Sequence, residues 1–243
     1  MNTTMMIHCG GRKASFEEIS AVPLPEETNT YKPVPFQDLI MNTRQIADDL
    51  LKDYSFVKDN YALAGGPNKD QRMFGVLQYE ADDHDMGYAI GIRSSYDKSI
   101  TNGFCAGGQV FVCDNLAFSG SVTYMRKHTK NVLEDLKEKM VTTIYNSKDN
   151  FKSLLEDRER MSSIEIYDEE AYSFMGRLRG YNVIKPRQLE RALQCWRDPA
   201  IDDFQPRNLW SLYNACTESL KSTPPDKILE KHITLHKTTM YLA

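Results

Sequence analysis

The sequence predicts an α+β fold: an antiparallel β-meander flanked by a long helix, with a helical C-terminal third. Three observations carry this prediction. Short β-patterned segments bounded by turns crowd the span 55–125, with too little chain between them for the crossovers that parallel strands need. Apolar residues then recur at three- and four-residue spacings from about Lys130 to Asn146. From Ser162 onward helical periodicity continues and strand signals stop.

The chain divides on this reading into an extended N-terminal arm (1–35), an α+β core (36–160) and a helical region packed on that core (161–243). In the arm, Val22-Pro23-Leu24-Pro25 and Lys32-Pro33-Val34-Pro35 favour extended backbone, because each proline fixes its own φ and pushes its predecessor toward the β region. Such an arm is either a loose terminus or a strap that packs on a neighbouring subunit. Leu39, Ile40, Ile46, Ala47, Leu50 and Leu51 predict a first helix over Phe36–Tyr54. Strands are expected over Val57–Ala64, Arg72–Glu80, Tyr88–Arg93 and Gly107–Val112, about four in all, and Ser121–Met125 reads as a short extended piece. Leu133, Leu136, Met140 and Ile144 mark one face of the long helix, which Phe151, Leu154 and Leu155 either prolong or follow. Further helices hold Ala171, Phe174, Met175 and Leu178; run from Pro186 to Trp196; and place Leu209, Leu212, Tyr213, Cys216 and Leu220 on one face. Asp226 is positioned to cap a last helix over Lys227–His236. Trp210, Tyr213 and Leu220 are expected in the core.

Composition narrows the function classes. With 243 residues and 41 % apolar content the chain can bury a sizeable core. No apolar run reaches the length of a membrane span, and the N-terminus lacks the charged-then-apolar order of a signal peptide, so a cytosolic protein is expected. The five cysteines are widely spaced and include no C-x-x-C pair, which argues for free thiols. A net charge of −4 and a pI of about 5.8 argue against coating nucleic acid wholesale but allow a local basic stripe.

Candidate motifs are few. Ser95-Tyr96-Asp97-Lys98 matches S-x-x-K, yet it falls in a turn between strands and lacks the partner patterns of serine acyl-enzymes, so a hairpin tip is expected. Gly103 and Ala106-Gly107-Gly108 are no phosphate loop, since no Gly-Lys-Ser/Thr follows. His232 and His236 share a helical face but lack the glutamate of a zinc hydrolase, and surface histidines are the expectation; His84 among Asp82, Asp83 and Asp85 reads as a solvated turn. No catalytic residue, metal or cofactor is called. Arg126-Lys127-His128-Thr129-Lys130 is the concentrated basic run. With Arg93 and Lys98 it could hold phosphates, while Tyr96 and Phe104, or Tyr88, could stack bases. The alternative is an ordinary charged loop.

Three blocks carry a resemblance: Arg93-Ser94-Ser95-Tyr96-Asp97-Lys98-Ser99, Val110-Phe111-Val112-Cys113-Asp114-Asn115-Leu116, and Leu209-Trp210-Ser211-Leu212-Tyr213-Asn214-Ala215-Cys216-Thr217-Glu218. Together they resemble the phage/plasmid-like proteins of the domain-of-unknown-function 932 family, loosely over residues 40–222. Lys98 departs from the glycine usual at that place in the turn. The resemblance implies a phage or plasmid context and no settled chemistry. The order helix, meander, long helix is in turn similar to the core of single-strand annealing recombinases, a likeness at the level of fold. Two functions fit these features: a non-catalytic protein that binds single-stranded DNA, with strand annealing as a homo-oligomer as the extension of that role, and a non-catalytic protein that binds a host protein or its own copies.

Overall fold

Strand alternation decides which side chains meet. In β2 (Ser55–Ala64), β3 (Arg72–Glu80), β4 (Met86–Ser95) and β5 (Asn102–Val110), every second residue faces one side, and Leu63, Met73, Leu77, Ile90, Ile92 and Phe104 are buried there. The structure, a computed structural model, describes residues 11–65, 70–80, 86–110, 115–117, 123–128 and 132–243. The described strands form one antiparallel sheet of seven, completed by β1 (Arg12–Ala14), β6 (Asn115–Ala117) and β7 (Thr123–Arg126). Its order is β1-β2-β3-β4-β5-β6, and β7 also pairs with β5. β6 covers Gly108–Val110 and β7 covers Asn102–Cys105, so the two share one edge of β5, end to end.

Gly75 shows how closely the inner face is packed. A Cβ there would lie 2.8 Å from Ile92 Cγ1 and 2.9 Å from Tyr61 Cδ1. Only glycine lets Tyr61 and Ile92 approach each other across β3.

The expected class is therefore found, with more strands than the four anticipated. β5 starts at Asn102 rather than Gly107, because Gly103, Cys105 and Ala106 are small and carry little β-propensity. β6 begins at the end of the block Val110–Leu116, of which residues 111–114 are outside the described residues. The arm is the larger difference. Beyond β1 it contains α1 (Phe16–Ser20), opened by a capping box between Ser15 and Glu18, and Ile19, Tyr31 and Val34 are buried. These anchors hold residues 12–35 on the body of the molecule.

Helices pack on the inner face. α2 (Phe36–Leu50) buries Phe36, Leu39, Ile40 and Ala47, ending four residues short of the expected Tyr54. α3 (Val132–Ser163) is one helix of 32 residues that includes Phe151 and Leu154. Val132, Leu136, Met140, Ile144, Phe151 and Leu154 are its buried stripe, while the side chain of Leu133 lies outside the description. Thr43 of α2 meets Met140 of α3, with Oγ1 3.6 Å from Sδ.

The C-terminal third is helical as expected: α4 (Asp168–Gly180), α5 (Pro186–Arg197), a 3-10 turn (Asp202–Phe204), α6 (Leu209–Leu220) and α7 (Pro225–Met240). Asn208 caps α6 by accepting the Ser211 N–H at 2.9 Å. Pro224, not Asp226, occupies the cap position of α7. Trp210, Tyr213 and Leu220 are buried, as their spacing implied. The surface placement expected for His232 and His236 is overturned: they are 1 % and 4 % exposed. α7 packs on α6 and turns the face that carries them, with Leu235 and Thr239, inward. His236 Nε2 is 3.0 Å from Asp157 Oδ2 of α3.

Candidate nucleic-acid interface

Tyr31 organises one end of the sheet. It precedes α2, and its hydroxyl donates to the carbonyl of Tyr96 in the β4–β5 turn at 3.2 Å. Its ring lies 5.4 Å from that of His128, two residues beyond β7. The next N–H, that of Lys32, donates to the His128 carbonyl at 3.3 Å. Lys98 stands at the tip of the turn with φ of 63°, and its Nζ is 4.2 Å from the centroid of Tyr31. Three distant segments thus bring Lys32, Lys98 and Lys127 to one edge. Lys98 and Lys127 are exposed and Lys32 is half-buried.

The charge of this edge is uncompensated among the described residues. The acid beside Lys98, Asp97, accepts from Arg72 Nε at 2.8 Å and from both the N–H and the hydroxyl of Ser99. Burial alone would raise its carboxyl; the Ser99 and Arg72 hydrogen bonds overcome that and hold it below the usual range. Lys32, Lys98 and Lys127 make no ion pair with a described acid.

Beneath the edge runs a polar chain. Ser94 Oγ donates to Asn102 Oδ1 at 2.6 Å, and Asn102 Nδ2 lies 3.2 Å from His128 Nδ1. His128 Nε2 faces the Ile100 carbonyl at 3.4 Å. This pattern fits a neutral ring with its proton on Nε2. Burial depresses the His128 pKa, the Ile100 hydrogen bond opposes that, and the Lys98 charge adds to it. His236 is likewise depressed chiefly by burial, against the pull of Asp157.

A pH dependence follows. Between the lowered folded values and the ordinary 6.5, the unfolded chain binds more protons at both histidines than the folded one. Their contribution to stability is complete above about pH 6.5 and declines as pH falls below it. Tm measured at about pH 5.5 is expected below that at about pH 7.5, and His236→Gln should flatten part of the slope.

The anticipated site residues separate into groups. Lys98 lies over the Tyr31 ring, and Lys127 adjoins His128, whose ring faces Tyr31. Arg93 is opposite Phe74 and Gly103, on the sheet face away from Ser94 and Asn102. Arg126 pairs through its backbone with Asn102; its side chain lies outside the description, as does Lys130 entirely. The helix that follows begins at Val132 with Glu134 and Asp135 in its first turn, so its dipole is already met by acids. Cys9, His84 and its aspartate neighbours also fall outside the described residues.

The base-stacking role read for Tyr96, Phe104 and Tyr88 is corrected, for these rings are 5 %, 2 % and 0 % exposed. The aromatic pattern that suggested a stacking platform is the alternation of core-facing strand residues. Tyr96 stacks on Phe36 with centroids 3.8 Å apart, and its hydroxyl accepts the Phe36 N–H at 3.0 Å. That N–H opens α2 and has no partner within the helix. Tyr96→Phe leaves it buried and unpaired, an expected loss of about 1–2 kcal/mol measurable by urea unfolding. Ser95 is also structural: its hydroxyl donates to the Ile100 carbonyl at 2.8 Å and accepts the Ile100 N–H at 3.1 Å, closing the hairpin tip.

Lys32 was missed by sequence reasoning. It lies in the proline-rich arm, and nothing local indicates that Tyr31 would carry it to the turn. Among the described residues no group of three or more His, Cys, Asp or Glu could hold a metal ion, and no helix is long and apolar enough to cross a membrane. Set against known proteins, the chain matches no family model, no curated protein and no solved structure.

Proposed function

We propose that this chain binds single-stranded DNA, acting without a cofactor as a homo-oligomer in a phage or plasmid setting. The observation that supports it is the convergence of Lys32, Lys98 and Lys127 on one edge where Asp97, the acid beside Lys98, is already engaged. Phosphates are the anions such an edge would hold, with local potential opposing the net charge of −4. The buried aromatics take no part, so contact with the sugar-phosphate backbone, rather than base stacking, supplies the affinity. The blocks that resemble the phage/plasmid-like family give the context.

The test is titration of a fluorescein-labelled oligothymidylate at two salt concentrations, with solution mass measured alongside. Affinity is expected to fall steeply as salt rises, since each phosphate neutralised contributes about −0.7 to the logarithmic slope for a single strand. Absence of binding at low salt sinks this reading.

A second reading has its own support. Tyr145 on α3, Tyr167 and Tyr181 at the two ends of α4, and Tyr241 after α7 are 67 %, 65 %, 64 % and 89 % exposed. Exposed tyrosines suit a protein partner, either a host factor or another copy. Such binding would change little with salt.

A further inference from the structure

The polar chain beneath the basic edge can exist in two arrangements. With His128 neutral, Nδ1 accepts from the Asn102 amide, while Asn102 Oδ1 accepts from Ser94. A proton added at Nδ1 would set donor against donor. Rotating the Asn102 amide by half a turn restores the match: Oδ1 then accepts from His128 Nδ1–H, and Nδ2–H donates to Ser94 Oγ. The Ser94 hydroxyl loses its acceptor in the exchange, which keeps the second arrangement uphill at neutral pH.

The charge gained acts on Lys98 through Tyr31. Among the described residues, the groups facing His128 are Tyr31, from the segment ahead of α2, and Lys98, from the β4–β5 turn. Asp97 is held by Arg72 and Ser99, and the neighbours in β4 and β5, Ser94 and Asn102, are neutral. Lys127 adjoins His128 in sequence, and Lys32 reaches it through the backbone. A protonated His128 and Lys98 repel each other across the phenol ring. His128 is 8 % exposed and fixed in its network, whereas Lys98 is exposed on a turn tip. Lys98 is therefore the one that moves.

We propose that His128, Asn102 and Ser94 form a proton-operated switch that releases Lys98 from Tyr31, so that the edge binds anions more tightly in mild acid. The effect on DNA rests on the single-strand reading; the switch itself does not. Lys98 when freed can reach outward, and His128 adds a unit charge below it.

Two measurements on the full chain test this. In the first, the parent binds labelled oligothymidylate at constant ionic strength at about pH 8 and about pH 5.5. The expected gain in acid is about fivefold, the effect of one added charge within a Debye length of a phosphate. His128→Gln should match the parent in base and lack the gain. In the second, the His128 ring, the Asn102 side-chain amide and the Lys98 side chain are followed by NMR through the same pH range. A shared midpoint is expected. Binding that ignores pH, or an acid gain that survives in His128→Gln, overturns the switch and leaves the single-strand reading intact. If no oligonucleotide binds at either pH, that reading falls. The NMR titration then decides the switch alone, and Asn102 or Lys98 signals indifferent to His128 overturn it. The same titration of the parent decides if His128→Gln does not fold.

Discussion

Trp210→Ala is expected to destabilise the protein by about 3–5 kcal/mol, the range for deleting a large buried aromatic ring. Trp210 is 7 % exposed on α6 and stacks on Tyr213 at 5.6 Å between centroids, with planes 18° apart. Tyr213 in turn meets His236 of α7 edge-on at 5.9 Å. Removing the indole leaves a cavity that the helix cannot collapse around, because Leu209, Leu212 and Cys216 beside it are fully buried and already committed. In a chain of this size Tm moves by about 2–4 °C per kcal/mol, so a fall on the order of 10 °C should be seen by calorimetry. An unchanged Tm would show that α6 contributes far less to the core than its burial implies.

Replacing Lys32, Lys98 and Lys127 together by glutamate is the second large effect. If the edge holds phosphates, oligonucleotide affinity at low salt should drop by at least about tenfold, and the salt slope should shrink by about 2, three contacts' worth for a single strand. Exposed charges contribute little to folding, so Tm should stay within about 5 °C of the parent. Reversing Lys137, Lys139 and Lys152 on the exposed side of α3 is the matched control, with the same change in net charge and no expected loss of binding. Equal losses in both triple variants would mean that net charge, not this edge, governs binding.

Much of the fold was legible in the sequence, for a physical reason. β3 runs over Arg72–Glu80 as read, because its apolar residues are bounded in the sequence by a Gly/Pro/Asn stretch before and an Asp-rich stretch after. The stripe of α3 and the face of α6 were legible in the same way, from spacing alone. What escaped was whatever depends on distant partners. Ile19, Tyr31 and Val34 look like ordinary residues of a proline-rich arm until the sheet offers them a surface. His232 and His236 have no periodic signal that distinguishes a buried face from an exposed one, since histidine is tolerated on both.

The candidate site was less legible still. Lys98 and Lys127 were found because basic residues in turns draw notice, and Lys32 was passed over because its relation to them is entirely tertiary. Tyr96 and Phe104 were misread as stacking platforms because aromatic rings between basic residues fit either a groove or a core. Only burial separates the two.

The pairing of Arg12–Ala14 with Tyr61–Leu63 bears on how the chain can be shortened. Cut back to residue 36, the protein would lose more than a tail. β2 would become the outermost strand, with its unpaired N–H and C=O groups open over Tyr61, Ala62 and Leu63, three residues that are buried in the whole chain. A bare apolar edge of that kind recruits strands from other molecules. Arg12–Ala14 is thus the shield of that edge, and during synthesis it stays unpartnered until residues 61–63 have emerged to receive it.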